Sequence, residues 1–249
     1  MPASRLSLYN KKRDFGVTSE PPGRIGAKAG KKLRFVIQRH AATRLHFDLR
    51  LELDGVYKSW AVTKPPSPDP ATRRLAVEVE DHPLDYGTFE GTIPKGEYGG
   101  GTVQLWDNGS WSPQSSRDPE RDLEKGHLKF TMDGKRMHGG WALIRLRDRD
   151  QRYRRTPRHN WLLIKETDEF ALPGEPDALA SEITSVKSGR TLEEIASRSR
   201  KVWRSNRSER TEPEAKPRAA AKRAKVPAQR KAAPAAKRKT AAKKKRRKR

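Results

Sequence analysis

The stretch 40–53 reads H-A-A-T-R-L-H-F-D-L-R-L-E-L, and from Leu45 onward it alternates without a break. Leu45, Phe47, Leu49, Leu51 and Leu53 stand against His46, Asp48, Arg50 and Glu52. Alternation of that length predicts a β-strand with one face on a core, because successive side chains point to opposite sides. The opposite face then carries an imidazole, a carboxylate and a guanidinium in a row, neighbours roughly 7 Å apart.

That spacing suits chemistry. His46 and Asp48 can converge on one ion, and His40 can add a third ligand from the loop or strand edge. Two imidazoles and one carboxylate suit Mn²⁺, Fe²⁺ or Zn²⁺ better than Ca²⁺ or Mg²⁺, which take oxygen shells. Arg50, one step further, can clamp an anion with a bidentate fork. The competing reading is a solvated strand face with unconnected polar residues, and spacing alone leaves the two open.

Working outward, residues 33–38 read as a strand feeding this one. Asp54-Gly55 is a two-residue hairpin signal, and residues 56–62 form the return strand. Lys64 opens a proline-rich extended loop. Residues 75–82 alternate again, which predicts Leu75, Val77 and Val79 inward and Glu78, Glu80 and His82 on the opposite face, before Pro83 and a bend at Asp85-Tyr86-Gly87. The glycine-rich run 91–101 matches no nucleotide-binding fingerprint and reads as tight turns. Further strands are expected at 102–106, 127–132, 141–146 and 160–166, a short polar helix or loop at 117–125, and a capped helix from Thr191 to about Arg198. The pattern predicts a mostly β fold: a compact antiparallel β-barrel with short flanking helices, walled by Trp60, Trp106, Trp141 and Trp161.

The charge is unevenly spread along the 249 residues. Residues 198–249 hold 23 Lys and Arg against 3 acidic residues, a balance of +20, while residues 1–197 hold 33 against 28. Three regions follow: an arm over 1–31, polar and without a folded unit of its own; a barrel over 32–205; and a Lys/Arg/Ala/Pro-rich tail over 206–249, expected to be disordered and to bind polyanions without sequence preference. The absence of cysteine excludes disulfides and thiolate metal sites, and no apolar run reaches the length of a membrane span. A soluble cytoplasmic, nucleoid-associated monomer with no membrane partner is the expectation.

Five blocks in order carry a resemblance: F-V-I-Q-R-H-A-A-T-R-L-H-F-D-L-R-L-E, K-S-W-A-V-T-K-P-P, V-E-D-H-P-L-D-Y, G-T-I-P-K-G-E-Y-G-G-G and V-W-R-S-N-R. Together, over about residues 8–207, the chain resembles the 3′-phosphoesterase domain of bacterial DNA ligase D. The resemblance implies a β-barrel nuclease dependent on Mn²⁺, with Co²⁺ or Zn²⁺ as other candidates, that heals DNA 3′ ends in non-homologous end joining. A terminal ribonucleoside is removed to leave a 3′-phosphate, and the phosphate is then removed to expose a 3′-OH. By the same resemblance His40, His46 and Asp48 hold the metal. Arg50, His82 and Tyr86 are catalytic, together with Arg13 and Asp14 reaching in from the arm. Lys64, Arg74 and Ser59 contact phosphate or DNA, and Gln38 and Glu80 stand behind them. Water attacking in line is the default, and a phosphohistidine through His82 or His40 stays open. His127, His138 and His159 lie apart and read as surface or turn residues.

The chain departs from the family pattern in carrying no polymerase or ligase domain and a long basic tail instead. A rival expectation is a non-catalytic DNA-end or nucleoid-binding protein. An accessory partner of a separate ligase or of the end-binding protein Ku is a third reading, compatible with the enzyme.

Overall fold

The computed structural model describes residues 5–27, 32–114, 118–147 and 159–205. Nine strands form one sheet, and every pairing between them is antiparallel. They are β1 (Leu33–Ala41), β2 (Leu45–Leu53), β3 (Val56–Val62), β4 (Arg73–Pro83), β5 (Gly91–Ile93), β6 (Gly101–Pro113), β7 (His127–Asp133), β8 (His138–Arg145) and β9 (Asn160–Lys165). The order β1-β2-β3-β4-β9-β8-β7-β6 closes on itself through a second pairing of β1 with β6, so eight strands make a barrel and β5 adds to the side of β6. Closure removes the exposed sheet edges that an open sheet would present.

Local chemistry explains the hairpins. Asp54 and Gly55 both adopt positive φ, 50° and 80°, the conformation a two-residue turn needs to match the strand twist. Gly101 opens β6 at φ 147°, where a Cβ would lie 2.3 Å from the Ala41 carbonyl oxygen; only glycine lets the two backbones meet there. The interior is aromatic: Trp60, Trp106, Trp141 and Trp161 are fully buried among Phe35, Phe47, Phe130 and Leu49.

The polar face of β2 is not wet. Asp48, Arg50 and Glu52 are 6 %, 2 % and 1 % exposed, although they point away from the aromatic interior. Arg50 lies against the Tyr86 ring, Glu52 is paired with Arg34, and the N-terminal segment packs in turn on Tyr86. Residues 7–11 form a short helix, α1 (Ser7–Lys11), and Leu6 and Tyr9 are buried against Val56 and Tyr86, with Phe15 and Phe89 packed around them. The sequence reading took this segment as having no folded unit, because its few apolar residues find their partners only on the barrel's outer wall.

β4 departs from its alternation. Ala76 is the fully buried core residue and Leu75 is 38 % exposed, so the expected inward set of Leu75, Val77 and Val79 faces outward. Glu78 turns to the other side, where its Oε2 accepts from Trp161 Nε1 at 2.8 Å. The register with β3 shifts between Tyr57 opposite His82 and Ser59 opposite Val79. This bulge inserts one residue and brings His82 back to the outer face.

Helix α2 (Pro119–Lys125) is capped by Asp118, which accepts from Arg121 N, and ends on Gly126 at φ 83°. Helix α3 (Leu192–Ser205) opens with the reciprocal bonds of a capping box between Thr191 and Glu194. The basic tail, read as disordered over 206–249, lies outside the described residues.

Candidate active site

The β1–β2 hairpin sets His40 directly opposite His46 and Gln38 opposite Asp48. His40, expected from a loop or strand edge, is therefore a strand residue with its side chain on the same outer face. The two imidazole centroids lie 4.7 Å apart, and both rings approach Asp48: His40 Nδ1 to Oδ2 and His46 Nε2 to Oδ1, each at 3.5 Å. One donor atom from each of the three falls within 4.8 Å of the others. His46 Nδ1–H donates to the Arg44 carbonyl at 2.9 Å, which leaves Nε2 free to bind as a base. His40 Nε2 is buried without a hydrogen-bonding partner among the described residues. An orphaned imidazole nitrogen beside a second imidazole and a carboxylate fits a divalent transition metal. Burial would raise the Asp48 carboxyl, but Arg50, with His40 and His46, more than offsets that and holds it well below the usual carboxylate range.

Arg50 is fixed on all sides. Nε donates to Gln38 Oε1 at 2.8 Å, Nη1 to Ser59 Oγ at 3.0 Å and Nη2 to Asp48 Oδ2 at 3.1 Å. Gln38 is itself held, donating to the carbonyls of Tyr86 and Phe89. The Tyr86 ring lies 4.8 Å from the guanidinium carbon. Gln38 and Ser59 thus orient the fork, and Asp48 joins it to the metal donors.

The second half of the site comes from the bulge on β4, the 3-10 turn Leu84–Thr88 and the N-terminal segment. His82 Nδ1–H donates to the Glu80 carbonyl at 2.8 Å, so Nε2 accepts from Arg13 Nη2 at 3.3 Å. Burial, then the Arg50 and Arg13 cations, pushes the His82 pKa well below its ordinary 6.5, and the ring is neutral. Arg13 also binds Glu20 and Glu80 and stacks 3.7 Å over Tyr9. Lys12 and the Tyr98 hydroxyl complete the coordination of Glu80. Tyr86 is buried, its phenol raised well above 10, chiefly by that burial.

These groups line one cavity of about 180 Å³ that includes Arg13, His40, His46, Asp48, Arg50, Glu80, His82 and Tyr86. Gln38 and Ser59 reach it only through Arg50, and three further expected residues stand away from it. Asp14 is exposed and accepts from Gly16 N in its own turn. Arg74 donates to the Pro65 and Pro176 carbonyls and to Asp177, bracing the proline loop. Lys64 is exposed in that loop. Conversely, sequence reasoning missed Tyr9, Lys12, Glu20 and Tyr98. Tyr98 was the legible one, a lone aromatic in a run of glycines. Of the other histidines, His138 stacks on Phe170 and pairs loosely with Asp133, and His159 borders an adjoining groove on the outer wall.

Residues 38–145, which carry nearly all of these side chains, match the sequence profile of the DNA ligase D 3′-phosphoesterase domain. The chain is 49% identical over 194 residues to the multifunctional non-homologous end joining protein LigD of Pseudomonas aeruginosa. Residues 38–145 belong to the DNA ligase D 3′-phosphoesterase domain family. The Pseudomonas match covers 74% of this chain and 22% of that protein. LigD of Mycolicibacterium smegmatis is 41% identical over 171 residues, covering 67% of this chain and 21% of its own length. LigD of Mycobacterium tuberculosis is 44% identical over 143 residues, 57% of this chain and 18% of the other. The chain thus spans about a fifth of the length of these relatives. The phosphoesterase-domain match contains both strands of the metal-donor hairpin from Gln38 onward, together with the β4 bulge and the glycine-rich loop.

Proposed function

We propose that this protein is a Mn²⁺-dependent phosphoesterase of DNA 3′ ends, removing a terminal ribonucleoside and then the 3′-phosphate so that the end can be joined. The observation that carries the reading is the meeting of two sets in one small cavity: three metal donors within 4.8 Å of one another, and an arginine fork bonded to the same aspartate. The family membership supports the chemistry and its setting in non-homologous end joining.

His40, His46 and Asp48 would hold the cation, which supplies Lewis-acid polarisation of a phosphoryl oxygen. Co²⁺ and Zn²⁺ suit the same donors. Arg50, oriented by Gln38 and Ser59, would meet charge growing on the other phosphoryl oxygens without reorganising. His82 rests neutral, its Nε2 accepting from Arg13. An anionic phosphate beside it acts opposite to the two arginines and favours the imidazolium, the form that can protonate a leaving oxygen. Tyr86 would fix the guanidinium plane and close the cavity wall. Among the described residues no serine or threonine shares the cavity lining with the metal donors, so attack by water is the favoured route. DNA 3′ ends are the substrate in this reading, with a separate ligase and Ku as downstream partners.

The test is release of phosphate from a 3′-phosphate primer–template, and shortening of a ribonucleotide-tipped one, across a series of divalent metals. His46→Ala and Asp48→Ala are each expected to abolish both activities in Mn²⁺. Activity retained in both variants would overturn the site. Binding with no product in the unsubstituted protein would favour the non-catalytic end-binding alternative.

A further inference from the structure

Just beyond His46, on the outer wall of the barrel, lies an open groove of about 910 Å³ that the phosphoryl chemistry leaves unused. Its floor is apolar: Leu8 and Leu45, 48 % and 45 % exposed, flank Ala61 and Val77. Exposed leucines beside a polar cluster cost solvation free energy unless something covers them. Arg44 and Lys12 stand at its margin, Lys12 paired with Glu80, and Glu78 also lines it.

The groove is continuous with the phosphoryl cavity. His46, Glu80 and Tyr98 line both. The inner cavity, about 180 Å³, falls below the ~300 Å³ at which sites for whole small molecules begin. A nucleoside attached to a phosphoryl group held there must therefore lie outside, and the groove is the adjoining space. Tyr98 stands at the junction. Its ring is 42 % exposed, with Lys12 Nζ 4.3 Å from the centroid. Its hydroxyl accepts from Lys12 at 2.9 Å and donates to Glu80 at 3.3 Å, so the ring is held in place before any ligand arrives. An anchored aromatic, an apolar floor and flanking cations are the combination that holds a nucleobase regardless of its identity.

We propose that this groove seats the base of the 3′-terminal nucleotide, stacked on Tyr98, while its phosphate lies at the metal donors; the proposal rests on the 3′-end reading above. Tyr98 is then a positioning residue that sets how far the strand enters.

The full-length protein is mixed, in chelator, with a primer–template whose 3′-terminal nucleotide is 2-aminopurine bearing a 3′-phosphate. The emission is expected to change on binding, and the same fluorophore several nucleotides inward is expected not to respond. Tyr98→Phe should keep the terminal response and Tyr98→Leu should lose it, with far-UV circular dichroism unchanged. In Mn²⁺, Tyr98→Leu should raise KM for phosphate release about tenfold with little change in kcat. An undiminished response in Tyr98→Leu, or a response only from the inward position, would overturn the proposal. A terminal response without any phosphate release would instead retain the seat and refute the catalytic reading.

Discussion

At the scale of single residues, His82 makes the sharpest statement about pH. Its ring is buried between Arg50 and Arg13, and both burial and those cations disfavour the protonated form. In the unfolded chain the same ring titrates near 6.5. Between the depressed folded pKa and 6.5 the unfolded chain therefore binds the additional proton, and stability falls as pH is lowered through that value. Urea midpoints measured in chelator at pH 7.5 and 5.5 should show a larger loss for the unsubstituted protein than for His82→Asn. Equal losses would mean that another group carries the acid sensitivity. His82 was legible in the sequence only as the end of an alternating strand. Its neutral state depends on burial, then on Arg50 and on Arg13, which is 69 positions away, and no local pattern announces such a pairing. His46, Asp48 and Arg50 were legible because strand periodicity alone puts them on one face. Arg74 was legible as a basic residue, but its three acceptors, which turn it from a phosphate contact into a brace, come from Pro65 and from positions more than 100 residues away.

At the scale of elements, the N-terminal segment is held by little apolar area but by several strong polar contacts. Leu6 and Tyr9 anchor it against Val56 and Tyr86, while Lys12 and Arg13 bind Glu80 and Glu20. Such a segment can open without the barrel unfolding, because it pairs with no strand of the closed sheet. Replacing both Leu6 and Tyr9 by alanine removes the anchors, each truncation leaving a cavity of the kind that costs about 2–5 kcal/mol in a packed core. Brief trypsin treatment is then expected to cut after Lys11, Lys12 or Arg13 while the barrel survives as one fragment, and phosphate release should fall with it. Protection equal to that of the unsubstituted protein would show that the polar contacts alone hold the segment. Sequence reading recovers the barrel because hairpin turns and alternation are local properties, as at Asp54-Gly55 and along β2. It fails on β4, where the letters alternate smoothly but the register with β3 shifts at Glu80-Asp81. A bulge belongs to a pair of strands, and one strand's sequence does not contain it. The docking of the N-terminal segment is missed for the same reason: α1 is five residues long and gains meaning only against Val56 and Tyr86, 40 or more positions later.

At the scale of the molecule, charge is divided unevenly along the chain. The region up to residue 197 is nearly balanced, 33 basic residues against 28 acidic, and many of its site cations are already paired, Arg13 with Glu20 and Arg50 with Asp48. The net charge of that region is only +5, so its overall attraction to DNA is small beside that of the residues that follow. The remaining 23 basic residues, against 3 acidic, follow within residues 198–249. If these residues bind duplex, the salt dependence is expected to follow them, since each phosphate neutralised contributes about −0.9 to the slope of log K against log salt. Removing the residues after Asn206 should leave turnover on short oligonucleotides nearly unchanged, because the metal donors, Arg50 and His82 all lie before it. Binding to long duplex, followed by anisotropy across a salt series, should lose most of its slope. If the slope survived truncation, the barrel surface itself would have to supply unpaired cations in number, and the division between a holding tail and a reacting barrel would fail.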